Sequence, residues 1–182
     1  MKPIFTIHEG EYLVATQIEE KFKNVNVWLP SKDTGIDLLL TDKSNKKMVS
    51  IQVKFSKDFN ITHVEENLRK NIKGTGWWTL NKEKIKSSQA DYWVFVLYSI
   101  KEKTHDYIII EPKKLLDIFK KLNRTNERLD CYFTVTTKGK AFETRGLKKN
   151  EIEELYKGTY TNTDRDVTEF LNNWKPIIDK IK

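Results

Sequence analysis

Asp37, Gln52 and Lys54 stand out as residues whose types and spacing could do chemistry. They lie in residues 35–57, GIDLLLTDKSNKKMVSIQVKFSK, which read as two strands joined by a polar turn over 42–47. Gln52 and Lys54 are two residues apart, so in a strand they share one side of the sheet. Ile51, Val53 and Phe55 face the other side. Asp37 stands at the mouth of the first strand. A carboxylate, an amide oxygen and an ammonium can then converge at the end of one hairpin. That arrangement suits a hard divalent cation held beside a phosphate. Phosphodiester hydrolysis needs a cation against the charge growing on the phosphoryl oxygens, and a water that loses its proton near neutral pH. Taken alone, Lys54 would be an ordinary exposed strand lysine. The face shared with Gln52 and the nearness of Asp37 single it out.

Other elements must position this hairpin. Residues 9–23 read as a helix, because Glu11, Val14, Ala15, Ile18 and Phe22 share one face at about 100° per residue. An acid centred on an apolar stripe is unusual, since an ionised carboxylate is costly to bury without a partner. Glu11 either complements the helix dipole at the first turn or faces the same site as Asp37; the second reading is taken here. Residues 24–30 read as a short strand, and Asp33 as a turn former. Residues 60–73 carry Ile61, Val64, Leu68 and Ile72 at helical spacing, with Arg69, Lys70 and Lys73 near a basic end.

Gly74-Thr75-Gly76-Trp77-Trp78 follows, read as a Gly-flanked aromatic pair that packs as a core lid rather than stacking on bases. Residues 81–87 read as a short helix or turn. Residues 90–99, ADYWVFVLYS, form the most apolar run and should be a central strand, with 105–110 its hairpin partner. Pro112 opens a helix to about Leu122 with Leu115, Leu116 and Phe119 inward. Residues 131–136 read as a strand and Lys138-Gly139 as a turn. Asn150 is expected to cap a short helix ending at Gly158. Thr163 is expected to cap a last helix in which Val167, Phe170, Leu171, Trp174, Ile178 and Ile181 recur, kinked at Pro176.

The composition sets the frame. With 182 residues the chain fits one domain, and 38% apolar residues supply a core. No apolar run approaches the roughly 18 residues of a membrane span, and the start, MKPIFTIHEGEY, lacks a signal-peptide pattern. The single Cys131 excludes an intramolecular disulfide framework and fits a reducing cytoplasm. A net charge of +7 suits a polyanionic partner. Lys57, Arg69, Lys70 and Lys73 are the cations expected to meet phosphates around the cleft. His8, His63 and His105 have no metal-ligand spacing, Cys131 reads as a small core residue, and there is no P-loop or G-x-S-x-G.

Glu11 on a first helix, Asp37 after a Gly-Ile pair, and Gln52-Val53-Lys54 on the following strand resemble the PD-(D/E)XK nuclease superfamily. The resemblance is greatest to the Q-x-K branch of Mrr-type restriction enzymes and covers roughly residues 9–99. It implies an α/β, restriction-endonuclease-like core of order αβββαβ, a mixed sheet flanked by helices, followed by an α+β extension from about residue 101 to 182. It also implies Mg²⁺, with Mn²⁺ able to substitute. Asp37 and the Gln52 amide oxygen would be metal ligands, Val53 would add its backbone carbonyl, Glu11 would restore negative charge, and Lys54 would position or activate the water. Two departures stand: Ile36 replaces the usual proline, and Gln52 replaces the acid.

The expectation is a Mg²⁺-dependent DNA endonuclease, in defence against foreign DNA or in DNA repair and recombination. Cutting both strands takes two active sites, which makes a homodimer the expected assembly. The alternatives are an inactive nuclease-fold module that binds DNA or a partner, and a protein-interaction subunit whose basic charge is only solvation.

Overall fold

The computed structural model describes residues 8–31, 34–56, 70–99 and 102–182. Asp33, Lys57, Arg69 and the expected helix over 60–73, apart from its last residues, lie outside them. The fold is α/β, and its centre is a five-stranded mixed sheet of order β1-β2-β3-β5-β6. Strands β1 (Val25–Trp28), β2 (Leu38–Asp42) and β3 (Met48–Ser56) form an antiparallel meander. Strand β5 (Tyr92–Ser99) lies parallel to β3 and pairs antiparallel with β6 (Thr104–Ile110).

Strand β5 is buried from Tyr92 to Leu97 because both of its faces are covered, which is why it reads as an unbroken apolar run. Tyr92, Val94 and Val96 join Ile51 and Val53 under two helices, α1 (Glu9–Lys21) and α5 (Lys175–Ile181). Trp93, Phe95 and Leu97 face the opposite way, into a second core. That core is closed by a three-stranded antiparallel sheet of β4 (Ile72–Asn81), β7 (Arg128–Thr136) and β8 (Ala141–Glu143). Helices α2 (Lys82–Lys86) and α3 (Pro112–Lys121) add Ile85, Leu115, Ile118 and Phe119 to it. The aromatic rings set its packing. Phe95 meets Trp78 edge-on at 5.0 Å and Phe133 edge-on at 5.1 Å, the geometry their quadrupoles favour. Helix α4 (Lys149–Lys157) packs on the far face of the small sheet, with Leu155 against Phe142 and Tyr160.

Asp91 ties three of these pieces together. Its carboxylate accepts the Ser50 N–H at 2.8 Å and the Ser50 hydroxyl at 2.9 Å, and pairs with Lys180 of α5 at 3.3 Å. Burial alone would raise its pKa; the Ser50 hydrogen bonds and the Lys180 ammonium together outweigh it and hold the pKa below the ordinary value.

Several expectations are corrected. Ile72, Lys73 and the Gly74–Trp78 segment belong to strand β4, not to a helix end and loop. The two tryptophans therefore point to opposite faces: Trp78 is buried and Trp77 is 43% exposed. Gly76 is required there, because a Cβ on it would lie 2.3 Å from the Trp78 ring. Helix α4 starts two residues earlier than expected, with Lys148 as its N-cap and the Glu151 carboxylate taking the Lys148 N–H at 2.8 Å.

The apolar repeat over 167–181 is not one helix. Asn172 breaks it with φ of 52°, after a 3-10 turn at Thr168–Phe170. Val167 and Phe170 enter the core under the small sheet, while Trp174, Ile177, Ile178 and Ile181 enter the other. Pro176 opens α5 instead of kinking it, since its missing N–H costs nothing in a first turn. The segment after residue 101 is interleaved with the rest: it supplies β6 to the central sheet, two strands to the small one, and α5 to the core. Among the described residues no helix is long and apolar enough to cross a membrane.

Candidate functional site

The pairing of β2 with β3 begins at Leu38 opposite Ile51. One residue earlier Asp37 still donates its N–H to the Ile51 carbonyl at 2.8 Å. Its side chain then takes over from the missing ladder partner, with Oδ2 accepting the Val53 N–H at 2.6 Å. The half-buried carboxylate is thereby anchored on β3 midway between Gln52 and Lys54. In an extended strand one residue's N–H and C=O leave toward the same edge. The Val53 carbonyl therefore faces the side where Asp37 sits, beyond the last β2 pair.

Gln52 and Lys54 do share a face, as the alternation requires. It is the face of Trp93 and Phe95, their register partners on β5. The Lys54 ammonium sits over the Trp93 ring, 5.1 Å from its centroid, a cation–π contact that fixes the amine near the sheet. Trp93 is itself held, its indole N–H donating to the Ser88 hydroxyl at 2.9 Å. Ile51, Val53 and Phe55 face α1, also as expected.

Helix α1 approaches from that second face. A Cβ on Gly10 would lie 2.6 Å from Phe55 Cβ and 3.2 Å from a Val53 methyl, so only glycine lets the first turn sit this close. Glu11 follows Gly10, and its carboxylate accepts the His8 N–H at 3.1 Å, closing the helix end. The structure thus brings Asp37, Val53, Gln52 and Lys54 to one stretch of β3 and lays the first turn of α1 against Val53. The hydrogen bond it gives Glu11 is local to the helix.

Of the four basic residues, Lys70 is exposed in a turn. Lys73 is an ion-pair partner: its ammonium lies 2.9 Å from a carboxylate oxygen of Asp106, which is 3% exposed. The structure thus gives the Lys73 ammonium, expected to meet phosphate, a carboxylate partner within the chain. Cys131 is wholly buried and its thiol is pushed well up by burial, as a core residue.

Could these residues hold a hard divalent cation? Among the described residues no three His, Cys, Asp or Glu side chains cluster as a metal site. The set read from the sequence holds only two carboxylates, Asp37 and Glu11, with neutral oxygens for the rest. A carboxylate offers about four lone-pair positions, so the bond from Val53 is compatible with coordination by Asp37. Neutral amide and main-chain oxygens are ordinary partners for such ions.

Sequence reasoning missed Trp93 as the platform under Lys54, because only the parallel β3–β5 register brings the two together. It also missed Glu143, which is completely buried. Arg124 grips it at 2.7 and 2.8 Å and Arg165 at 3.0 Å. Burial pushes the Glu143 carboxyl up, opposed by Arg124 and Arg165. The available signal was an acid directly after the apolar pair Ala141-Phe142, at the end of the three-residue strand β8, too short a run to announce a strand.

Comparison of the chain with protein-family models, curated proteins and solved structures finds no match.

Proposed function

We propose that this chain is a metal-dependent nuclease of the PD-(D/E)XK type that hydrolyses DNA phosphodiester bonds. The observation that carries the reading is the Asp37 carboxylate anchored on the Val53 N–H between Gln52 and Lys54. It supports a site in which Asp37, the Gln52 amide oxygen and the Val53 carbonyl would hold Mg²⁺ or Mn²⁺. The ion would neutralise charge on the phosphoryl oxygens and lower the pKa of a bound water. Lys54, steadied over Trp93, would orient that water or stabilise the phosphate. Glu11 would act from the first turn of α1, which Gly10 seats against Val53 on the face opposite Gln52 and Lys54, and would reach the ion only around the end of β2. The sheet order, three antiparallel strands and then a parallel one after a crossover, is compatible with a restriction-endonuclease-like core. Defence against foreign DNA, or DNA repair and recombination, is the setting that fits, and a homodimer would supply two sites for two strands.

A second reading has its own observation. The Asp37–Val53 bond and the Lys54–Trp93 contact are both stabilising contacts within the sheet, and Gln52 carries no charge. A nuclease-fold module that binds DNA without cutting it would keep all three. Plasmid nicking with Mg²⁺ or Mn²⁺ separates the two readings. The nuclease reading expects metal-dependent nicking that a chelator stops. If wild type nicks nothing while Gln52→Glu does, the site is a decayed one and the binding module is correct.

A further inference from the structure

The small sheet carries a cavity that the nuclease reading does not use. It holds about 260 Å³ between the outer face of the sheet and helix α4. That is just under the roughly 300–1,000 Å³ of drug-sized sites, a size for one planar ring system. Trp77, Tyr132 and Tyr156 give it aromatic walls, and Thr134 and Thr144 give it hydroxyls. Trp77 and Tyr132 stand edge-on, 6.1 Å apart at 87°. Thr134 Oγ1 and Thr144 Oγ1 are 3.0 Å apart. Among the described residues of the lining Arg145 is the charged one, and its guanidinium lies over the Tyr132 ring at 5.4 Å.

Arg145 is held by its own backbone. The Arg145 carbonyl accepts from Arg165 at 3.0 Å and also from Arg124, and its N–H donates to Glu143 Oε1 at 3.3 Å. The same Glu143 carboxylate accepts from both arginines and from the Tyr132 N–H at 3.2 Å. A buried ionic cluster therefore fixes the loop that carries Arg145 relative to the strand that carries Tyr132. The cluster and Arg145 together hold three guanidinium charges against one carboxylate, so the loop that carries Arg145 is locally cationic, facing Glu151, Glu153 and Glu154 on helix α4.

We infer that this cavity binds one nucleotide unit, with the base among Trp77, Tyr132 and Tyr156 and its phosphate on Arg145. Aromatic walls accept the face of any base, and hydroxyls can both donate to and accept from its edge. Arg matches phosphate with paired donors. The unit can come from an unstacked position in a strand or from a free mononucleotide; the chemistry recognised is the same. The site lies on the outer face of the small sheet, whereas the Lys54 ammonium lies over Trp93 of the central one, and it stands whether or not the chain cuts DNA.

The test is calorimetric titration of the full chain, in the Asp37→Ala background so that cleavage plays no part. The probes are the four deoxynucleoside monophosphates, the matching nucleosides, inorganic phosphate, and a ten-residue single strand. At least one monophosphate is expected to bind, with Arg145→Ala weakening it at least tenfold. The matching nucleoside should bind more weakly and be indifferent to Arg145→Ala. Arg145 is exposed, so this variant folds, and Tyr132→Leu, which keeps an apolar wall, serves as the second probe. A strand displaced by the monophosphate assigns the site to nucleic acid; a monophosphate that binds while the strand does not assigns it to free nucleotide. The inference is overturned if no monophosphate and no strand binds. It is also overturned if inorganic phosphate binds as tightly as the nucleotides, or if Arg145→Ala and Tyr132→Leu leave binding unchanged.

Discussion

The Val53 N–H and the Asp37 Oδ2 are 2.6 Å apart. This one bond replaces the ladder partner that β3 loses where β2 turns away, and it sets the carboxylate at a fixed height on the strand. Its structural and chemical parts can be separated. Asp37→Asn keeps an oxygen that accepts from Val53 and should unfold in urea within about 0.5 kcal/mol of wild type. Asp37→Ala leaves the N–H without that acceptor and should cost about 1–2 kcal/mol. Equal stabilities for the two variants would show that the bond carries no weight.

Helix α1 depends on Gly10. A methyl there would press on Phe55 Cβ, next to the β3 backbone, where a side chain cannot swing aside. Gly10→Ala is expected to lower stability by about 1–3 kcal/mol despite its better helix propensity. Phe55→Gly, which removes that Cβ, should relieve part of that cost, giving a favourable coupling in a double-mutant cycle read by chemical denaturation. Additive losses would mean that the two residues do not meet.

The paired tryptophans should behave oppositely. Trp78 is 7% exposed and packs on Phe95 and Phe133, so Trp78→Ala should cost about 3–5 kcal/mol. Trp77 is on the outer face, and Trp77→Ala should cost well under half as much. Thermal unfolding of the two variants ranks them, and a Trp77 variant as unstable as the Trp78 variant would contradict the strand alternation.

The turn between β2 and β3 has a pH signature. Asp42 accepts from the Ser44 hydroxyl and from the Lys46 and Lys47 N–H groups. The Ser44 bond leads in holding its pKa at about 2, below the ordinary 3.8. Because the folded value is depressed, the stabilisation is present above pH 3.8 and is lost as pH falls toward 2. The stability difference between wild type and Asp42→Asn should therefore be constant from pH 7 to 5 and shrink below 3.8. A difference that holds or grows in acid would contradict the assignment.

The sequence made local alternation legible and left distant partners obscure. Gln52 and Lys54 against Ile51, Val53 and Phe55 is a period-two pattern, and the strand honours it. The apolar run over 90–99 announces a strand covered on both faces, and β5 is one. The ion pair of Lys73 was not legible, because the strand that carries Lys73 and the buried partner Asp106 are 33 residues apart in the chain. The stripe from Val167 to Ile181 misled because two separate cores drew on it, and Asn172 divides them. Nothing local marks the parallel β3–β5 register that sets Lys54 over Trp93. Glu11 shows the same limit: its helix and its nearness to Gly10 were readable, but which group its carboxylate serves was not.

The central claim is that Asp37 acts through its charge on a metal ion, and one comparison tests it most directly. Wild type and Asp37→Asn are assayed side by side for nicking of supercoiled plasmid across Mg²⁺ and Mn²⁺ concentrations, with DNA binding followed separately. Asn preserves the acceptor for Val53, so fold and DNA affinity should hold, since phosphate contacts elsewhere supply most of the binding. The account predicts metal-dependent nicking by wild type and a loss of at least a hundredfold in Asp37→Asn. Nicking by Asp37→Asn at the wild-type rate would contradict it and place any chemistry elsewhere in the chain.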